Sequence, residues 1–159
     1  METIVKGVTR ILGWVLMILM TLIVLDVTWQ VFTRFMMQNS SSWTEEMARF
    51  LLIWIGLLGA SYTLHTRMHL GIDIFTYKLT GKKKQVIEIL IYLFVLLFAL
   101  IVMVIGGFKL MSMTFQLNQT SAAMGIKMAY IYFVIPLSGI LMIFYSIDFM
   151  VKALTTKEK

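Results

Sequence analysis

His65, His69 and Asp73 follow one another at intervals of four, so a helix continuing through them would carry all three on one stripe. Two histidines at that spacing can bind zinc, and a carboxylate could be a third ligand. Arg67 and a nearby lysine run place positive charge against a dication, and no fourth ligand is at hand, so polar residues at a membrane boundary explain the stripe better. Asp26 is the second candidate, the one carboxylate well inside an apolar run. A charge at mid-bilayer costs ~2.5–3.5 kcal/mol on insertion scales, which makes such a residue functional by default. It lies past the centre of its run, with Gln30 one turn on and Arg34 two turns on, a polar stripe able to satisfy it. A structural or subunit-contact role is preferred to ion coupling. The third group is the stretch SSSWTEEMAR at 40–49, where Ser42 stands three residues before Glu45, the spacing of a capping box. Glu45 and Glu46 favour the positive end of a helix dipole, Glu45 and Arg49 share a face and can pair, and Glu46 points elsewhere. With Trp43 as a headgroup anchor, this reads as the start of a helix at a membrane rim.

The elements that must hold these residues follow from composition. Of 159 residues 60% are hydrophobic and only 14% charged, where soluble domains average nearer ~25% charged. The mean hydropathy is +0.88. Crossing the hydrocarbon core takes ~20 apolar residues, and four runs qualify, over approximately 11–33, 46–66, 87–108 and 128–150. Asp26 interrupts the first; the second has a short uncharged centre, Phe50 to Leu64, lengthened by residues able to snorkel. Each must be helical, because lipid cannot satisfy open backbone groups. The expected fold is therefore all-α, a single membrane domain of four transmembrane helices. The stretch LGIDIFTYKL at 70–79 mixes apolar and polar residues as a short amphipathic interfacial helix after the second span would. Lys6 and Arg10 imitate a secretory leader, but the run behind them is too long and lacks a cleavage site, so it is expected to remain as the first span.

Orientation follows from the basic residues. Ten of the fourteen lie at the two termini and between the second and third spans, including the GKKK turn at 81–84, and four lie on the other side. Both termini are thus expected in the cytoplasm. The net charge of +6 is explained by cations flanking apolar runs, so nucleic acid is not an expected partner. Residues 109–127, rich in Met, Gln, Asn, Thr and Ser, read as a surface-lying outer connection, and Asn118 to Thr120 as incidental. Asp148, near Lys152, reads as interfacial. Gly56 with Ala60, and Gly59 with Thr63, form small-xxx-small pairs that let helices approach closely, within the chain or with a partner. Zero cysteines exclude disulfides, thiolate metal sites and cysteine nucleophiles. No phosphate-binding, nucleophile-elbow, zincin or dinucleotide motif is present, and a haem would want histidines within the membrane, where His65 and His69 are at an edge. No enzyme and no cofactor is expected.

QVFTRF at 30–35, WTEEMARFLLIW at 43–54, GLLGA at 56–60 and RMHLGIDIF at 67–75 together resemble the small membrane subunit of TRAP transporters, the DctQ-like family. The matching positions are Arg34, Phe35, Trp43, Glu45, Glu46, Arg49, Trp54, Gly59, Ala60, Arg67, His69 and Asp73; His65 is outside the pattern. The resemblance implies a scaffold subunit in a bacterial or archaeal inner membrane, surrounded by phospholipid. It further implies a larger membrane subunit holding sodium and substrate sites, and a periplasmic binding protein delivering an organic acid, sialic acid or a C4-dicarboxylate. No substrate-binding residue is then expected on this chain; Asp26, Gly56 and the matching positions other than Phe35 become candidates for structure or subunit contact. The competing expectation is a self-sufficient carrier resembling small multidrug exporters, coupling through Asp26 in a homodimer. A third is a membrane anchor for a redox enzyme, which would bind haem.

Overall fold

The computed structural model describes residues 2–36, 42–66 and 82–155. Arg67, His69, Asp73 and the expected interfacial helix lie outside the described residues. Within them every element is helical, apart from one isolated bridge between Thr120 and Lys127. Helix α1 spans Glu2–Met36, α2 Ser42–His65 and α3 Lys82–Phe98. From α3 the chain continues through π-helical turns at Ala99–Gly106 into α4, Gly107–Gln116. Helices α5, Met128–Tyr132, and α6, Val134–Thr155, complete the chain. Among the described residues four stretches are long and apolar enough to cross a membrane: Thr3–Met36, Ser42–His65, Val86–Gln116 and Met128–Ala153.

Local chemistry explains the breaks. Pro136 has no N–H, so the Tyr132 carbonyl loses its donor one turn on. The chain relaxes there: α5 closes as Phe133 N–H donates to the Ala129 carbonyl at 3.1 Å, and α6 begins at Val134. The third span does not stop at the membrane boundary expected near Lys109. It stays helical to Gln116, because nothing in GFKLMSMTFQ breaks a helix. Asn118, with φ 48°, ends it in the left-handed conformation common past helix termini. The connection between the third and fourth spans is therefore shorter than the sequence suggested, 117–127.

Packing follows the order first, second, fourth, third: α1 lies on α2, α2 on α6, and α6 on α3 and the π turns. The fourth span is the hub, half buried along its most apolar stretch where the first is 11% buried. Val134 and Tyr145 are fully enclosed, with Val5, Leu58, Leu64, Tyr92 and Phe149 in the same core. The tightest seam joins the third and fourth spans. A Cβ on Gly139 would lie 2.8 Å from Met103 Cβ, and one on Gly107 would lie 2.9 Å from Pro136 Cδ. In lipid, packing drives helix association, and bare backbones allow the closest approach. Gly56 and Gly59, by contrast, meet nothing within 4 Å. The two glycines of α2 therefore seat no other helix among the described residues. The second and fourth spans are joined instead by buried hydroxyls, Ser61 Oγ donating to the Ser138 carbonyl at 3.2 Å.

Candidate functional site

Polar side chains gather at the two ends of the bundle, and the end opposite Glu2 and Thr155 is organised by Glu46. The first turn of α2 aims its carboxylate into the 117–127 connection. Ser121 Oγ donates to Oε2 at 2.6 Å, Ala122 N–H to Oε1 at 3.1 Å, and the N–H groups of Ala123 and Met124 to Oε2 at 2.9 and 3.1 Å. Successive backbone N–H groups converging on one anion form a nest. The nest is held open by its own turn: Ser121 N–H donates to the Ile126 carbonyl at 2.8 Å and Gly125 N–H to the Ser121 carbonyl at 3.1 Å. Gly125 sits at φ 66°, where a side chain would be strained. Glu46 thus clasps the 117–127 connection to α2, a role its sequence neighbours did not suggest. The signal available was weak, a run of small residues, Ser121-Ala122-Ala123, before a glycine. Arg49 reaches Glu45 through the backbone, its Nε donating to the Glu45 carbonyl at 3.4 Å. Trp43 and Arg34 are exposed at this end, while Trp54 packs against the core lower on α2.

At the end carrying both termini, α1, α2, α3 and α6 converge on an aromatic knot. Thr9 Oγ1 donates to the Val5 carbonyl at 2.8 Å, and the Tyr145 hydroxyl meets Thr9 Oγ1 at 3.2 Å. The His65 ring stacks on Tyr145 with centroids 4.8 Å apart, and Tyr92 stacks on Phe149 at 5.0 Å. Asp148, expected at the interface, is buried at 2% exposure, because α6 turns it onto the face that carries Tyr145. Its carboxylate is compensated one turn on by Lys152 Nζ at 2.6 Å, whose side chain is 40% exposed and reaches outward. His65 Nδ1 has no hydrogen-bond partner among the described residues. Nor do those residues include a group of three His, Asp or Glu able to hold a metal.

Asp26 stands apart from both ends. It is 8% exposed, and its Oδ2 is buried without a partner among the described residues. The stripe expected to satisfy it does not do so: Arg34 is exposed, and Gln30 contributes only its carbonyl, to Thr33 Oγ1 at 3.0 Å. The described residues therefore supply a clasp, a knot and an orphaned carboxyl oxygen, while Gly56 and Gly59 line an open face of α2.

Comparison with known proteins points one way. Residues 23–156 match the family described as Tripartite ATP-independent periplasmic transporters, DctQ component. The chain is 26% identical over 135 residues to the sialic acid TRAP transporter small permease protein SiaQ of Vibrio cholerae serotype O1, covering 82% of this chain and 73% of that relative. It is 28% identical over 102 residues to the C4-dicarboxylate TRAP transporter small permease protein DctQ of Rhodobacter capsulatus, covering 64% of this chain and 44% of that relative.

Proposed function

This chain belongs to the DctQ family of tripartite ATP-independent periplasmic transporter components, and from that we propose that it is a scaffold bracing a larger membrane subunit. The complete system would import an organic acid, of the sialic acid or C4-dicarboxylate class that names its relatives, handed over by a periplasmic binding protein. Uptake would be coupled to sodium on the larger subunit, as the family resemblance implies, and both termini would face the cytoplasm on the charge count. The observation that carries the scaffold reading is the open face of α2. Gly56 and Gly59 have no neighbour among the described residues within 4 Å of their missing Cβ atoms. Small residues with nothing against them suit a helix from another chain, since close packing is what associates helices in lipid. Asp26 fits the same reading as a contact for a cation on that partner.

A second reading is favoured by the orphaned oxygen of Asp26, which a self-sufficient exporter could use to bind a proton or cation. One substitution separates the two. A carrier coupling through this carboxylate loses transport in Asp26→Asn while remaining folded. In a scaffold, Asn keeps an acceptor and removes a buried charge, so assembly and uptake fall together or hardly change. The measurement is sodium-driven uptake into proteoliposomes holding both membrane subunits and the binding protein, normalised to assembled complex. Unchanged uptake per complex is expected. Complete loss of uptake by fully assembled Asp26→Asn complex, or uptake by this chain alone, defeats the scaffold.

A further inference from the structure

Between α1 and α2, at the end that carries both termini, lies an open cavity of about 460 Å³. That is within the ~300–1,000 Å³ typical of small-molecule sites. Its lining is divided by chemistry along α1. Lys6 and Arg10, one turn apart, stand over its mouth, and both are exposed. Neither has an ion-pair partner among the described residues. Trp14 and Met17 continue the same wall toward the middle of the first span as exposed apolar surface. Gly13 leaves the floor bare, with Tyr62 of α2 beyond it, 3.5 Å from where a Cβ would be. His65, whose Nδ1 is unsatisfied, closes the polar end.

Two cations with no ion-pair partner among the described residues, above an apolar trough running along the first span, match a molecule with a phosphate at one end and a hydrocarbon chain at the other. We propose that this groove binds an anionic phospholipid of the leaflet it opens onto. Lys6 and Arg10 hold the phosphate through charge-assisted hydrogen bonds, and an acyl chain lies on Trp14 and Met17. The proposal rests on reading α1 and α2 as membrane-spanning. It owes nothing to the family, because the α1 wall precedes residue 23, where the family match begins. Each basic residue near an anionic surface is worth about a fivefold preference, so the pair is expected to favour anionic over zwitterionic lipid about twenty-five-fold.

Brominated lipids test it with the full chain in vesicles. Trp29, Trp43 and Trp54 are replaced by Phe, leaving Trp14 as the reporter. The vesicles are phosphatidylcholine with a minor fraction of phosphatidylglycerol, and one lipid or the other carries bromine on its chains at equal mole fraction. Quenching of Trp14 is expected to be much stronger with brominated phosphatidylglycerol. Lys6→Gln with Arg10→Gln should abolish the difference with helicity by circular dichroism unchanged. Lys82→Gln with Lys83→Gln, which removes equal charge from the same end, should preserve it. Equal quenching by the two lipids, equal loss in both double variants, or displacement by water-soluble glycerol phosphate overturns the proposal alone. No quenching of Trp14 by either lipid overturns the spanning reading and the proposal with it.

Discussion

Gly139→Ala tests how the third and fourth spans meet. The added Cβ would lie 2.8 Å from Met103 Cβ, 3.0 Å from Val104 Cγ2 and 3.2 Å from the Ala99 carbonyl oxygen. Carbon atoms prefer ~3.5–4.0 Å, so Met103 would have to withdraw by roughly 0.7–1.2 Å. No rotamer change relieves this, since Met103 Cβ is fixed to the backbone of the π turns and the Ala99 oxygen is backbone itself. The two helices must separate, and overpacking of this kind costs about 1–3 kcal/mol. Alanine also gains up to about 1 kcal/mol of helix propensity over glycine, which would mask part of the loss. Gly59→Ala removes that ambiguity: it carries the same gain, and its Cβ meets nothing within 4 Å. The two variants are thus expected to differ by about 2 kcal/mol, the overpacking cost alone. At 2–4 °C per kcal/mol for a chain of this size, that is roughly 4–8 °C in unfolding temperature. The assay is thermal unfolding of the purified chain in detergent, followed by circular dichroism. Equal unfolding temperatures, or a lower one for Gly59→Ala, would refute the seam.

Glu46→Gln should loosen the outer connection, because a neutral amide with one acceptor oxygen cannot satisfy four donors. Hydrogen exchange at Ala122, Ala123 and Met124 should quicken while the amides of α6 are unchanged; unaltered exchange would dismiss the clasp. Gly56→Leu should leave the isolated chain as stable as before and lower its co-purification with the large subunit, whereas normal recovery would turn that face toward lipid. Cysteines placed at Ser40, Lys82 and Asn118 should react with an impermeant thiol reagent on intact cells at 40 and 118 only, and the reverse pattern would invert the orientation.

The four helices were legible because lipid allows so little else: an apolar run of sufficient length in an uncharged stretch has to be helical. What escaped was every feature that depends on two distant segments. Glu46 and Ser121 are 75 residues apart, and nothing local marks a glutamate in a first helical turn as the anion of a nest. Small residues four apart on one helix, Gly56 and Ala60, are the contact signal that a sequence displays. The fold instead uses single glycines, Gly107 and Gly139, each opposed to a neighbouring helix. The π turns at Ala99–Gly106 were hidden as well, since ALIVMVIG is uniformly apolar and an extra residue per turn leaves no polar residue out of place. Asp148, near the end of the last span, reads from sequence as interfacial, yet the fold buries it and pairs it with Lys152, because nothing local tells which face of the helix meets the bundle.

The polar groups on the first span separate those that lipid tolerates from those that it does not. Thr21 and Thr28 face outward, and each hydroxyl is satisfied by its own helix, donating to the Met17 carbonyl at 2.9 Å and the Val24 carbonyl at 2.6 Å. Back-bonded hydroxyls of this kind need no partner from another chain. The outward stripe of α1, with Ile18, Leu25 and Trp29 exposed alongside them, is therefore acceptable to hydrocarbon as it stands. Asp26 is not, because its buried oxygen has no donor among the described residues. On the scaffold reading, then, the large subunit's cation is expected beside Asp26, and not on the outward stripe. A charge-reversed pair gives the direct check. Asp26→Lys should abolish assembly, and an acidic residue in place of the facing cation on the large subunit should restore it; failure of every such basic position to rescue would remove Asp26 from the interface.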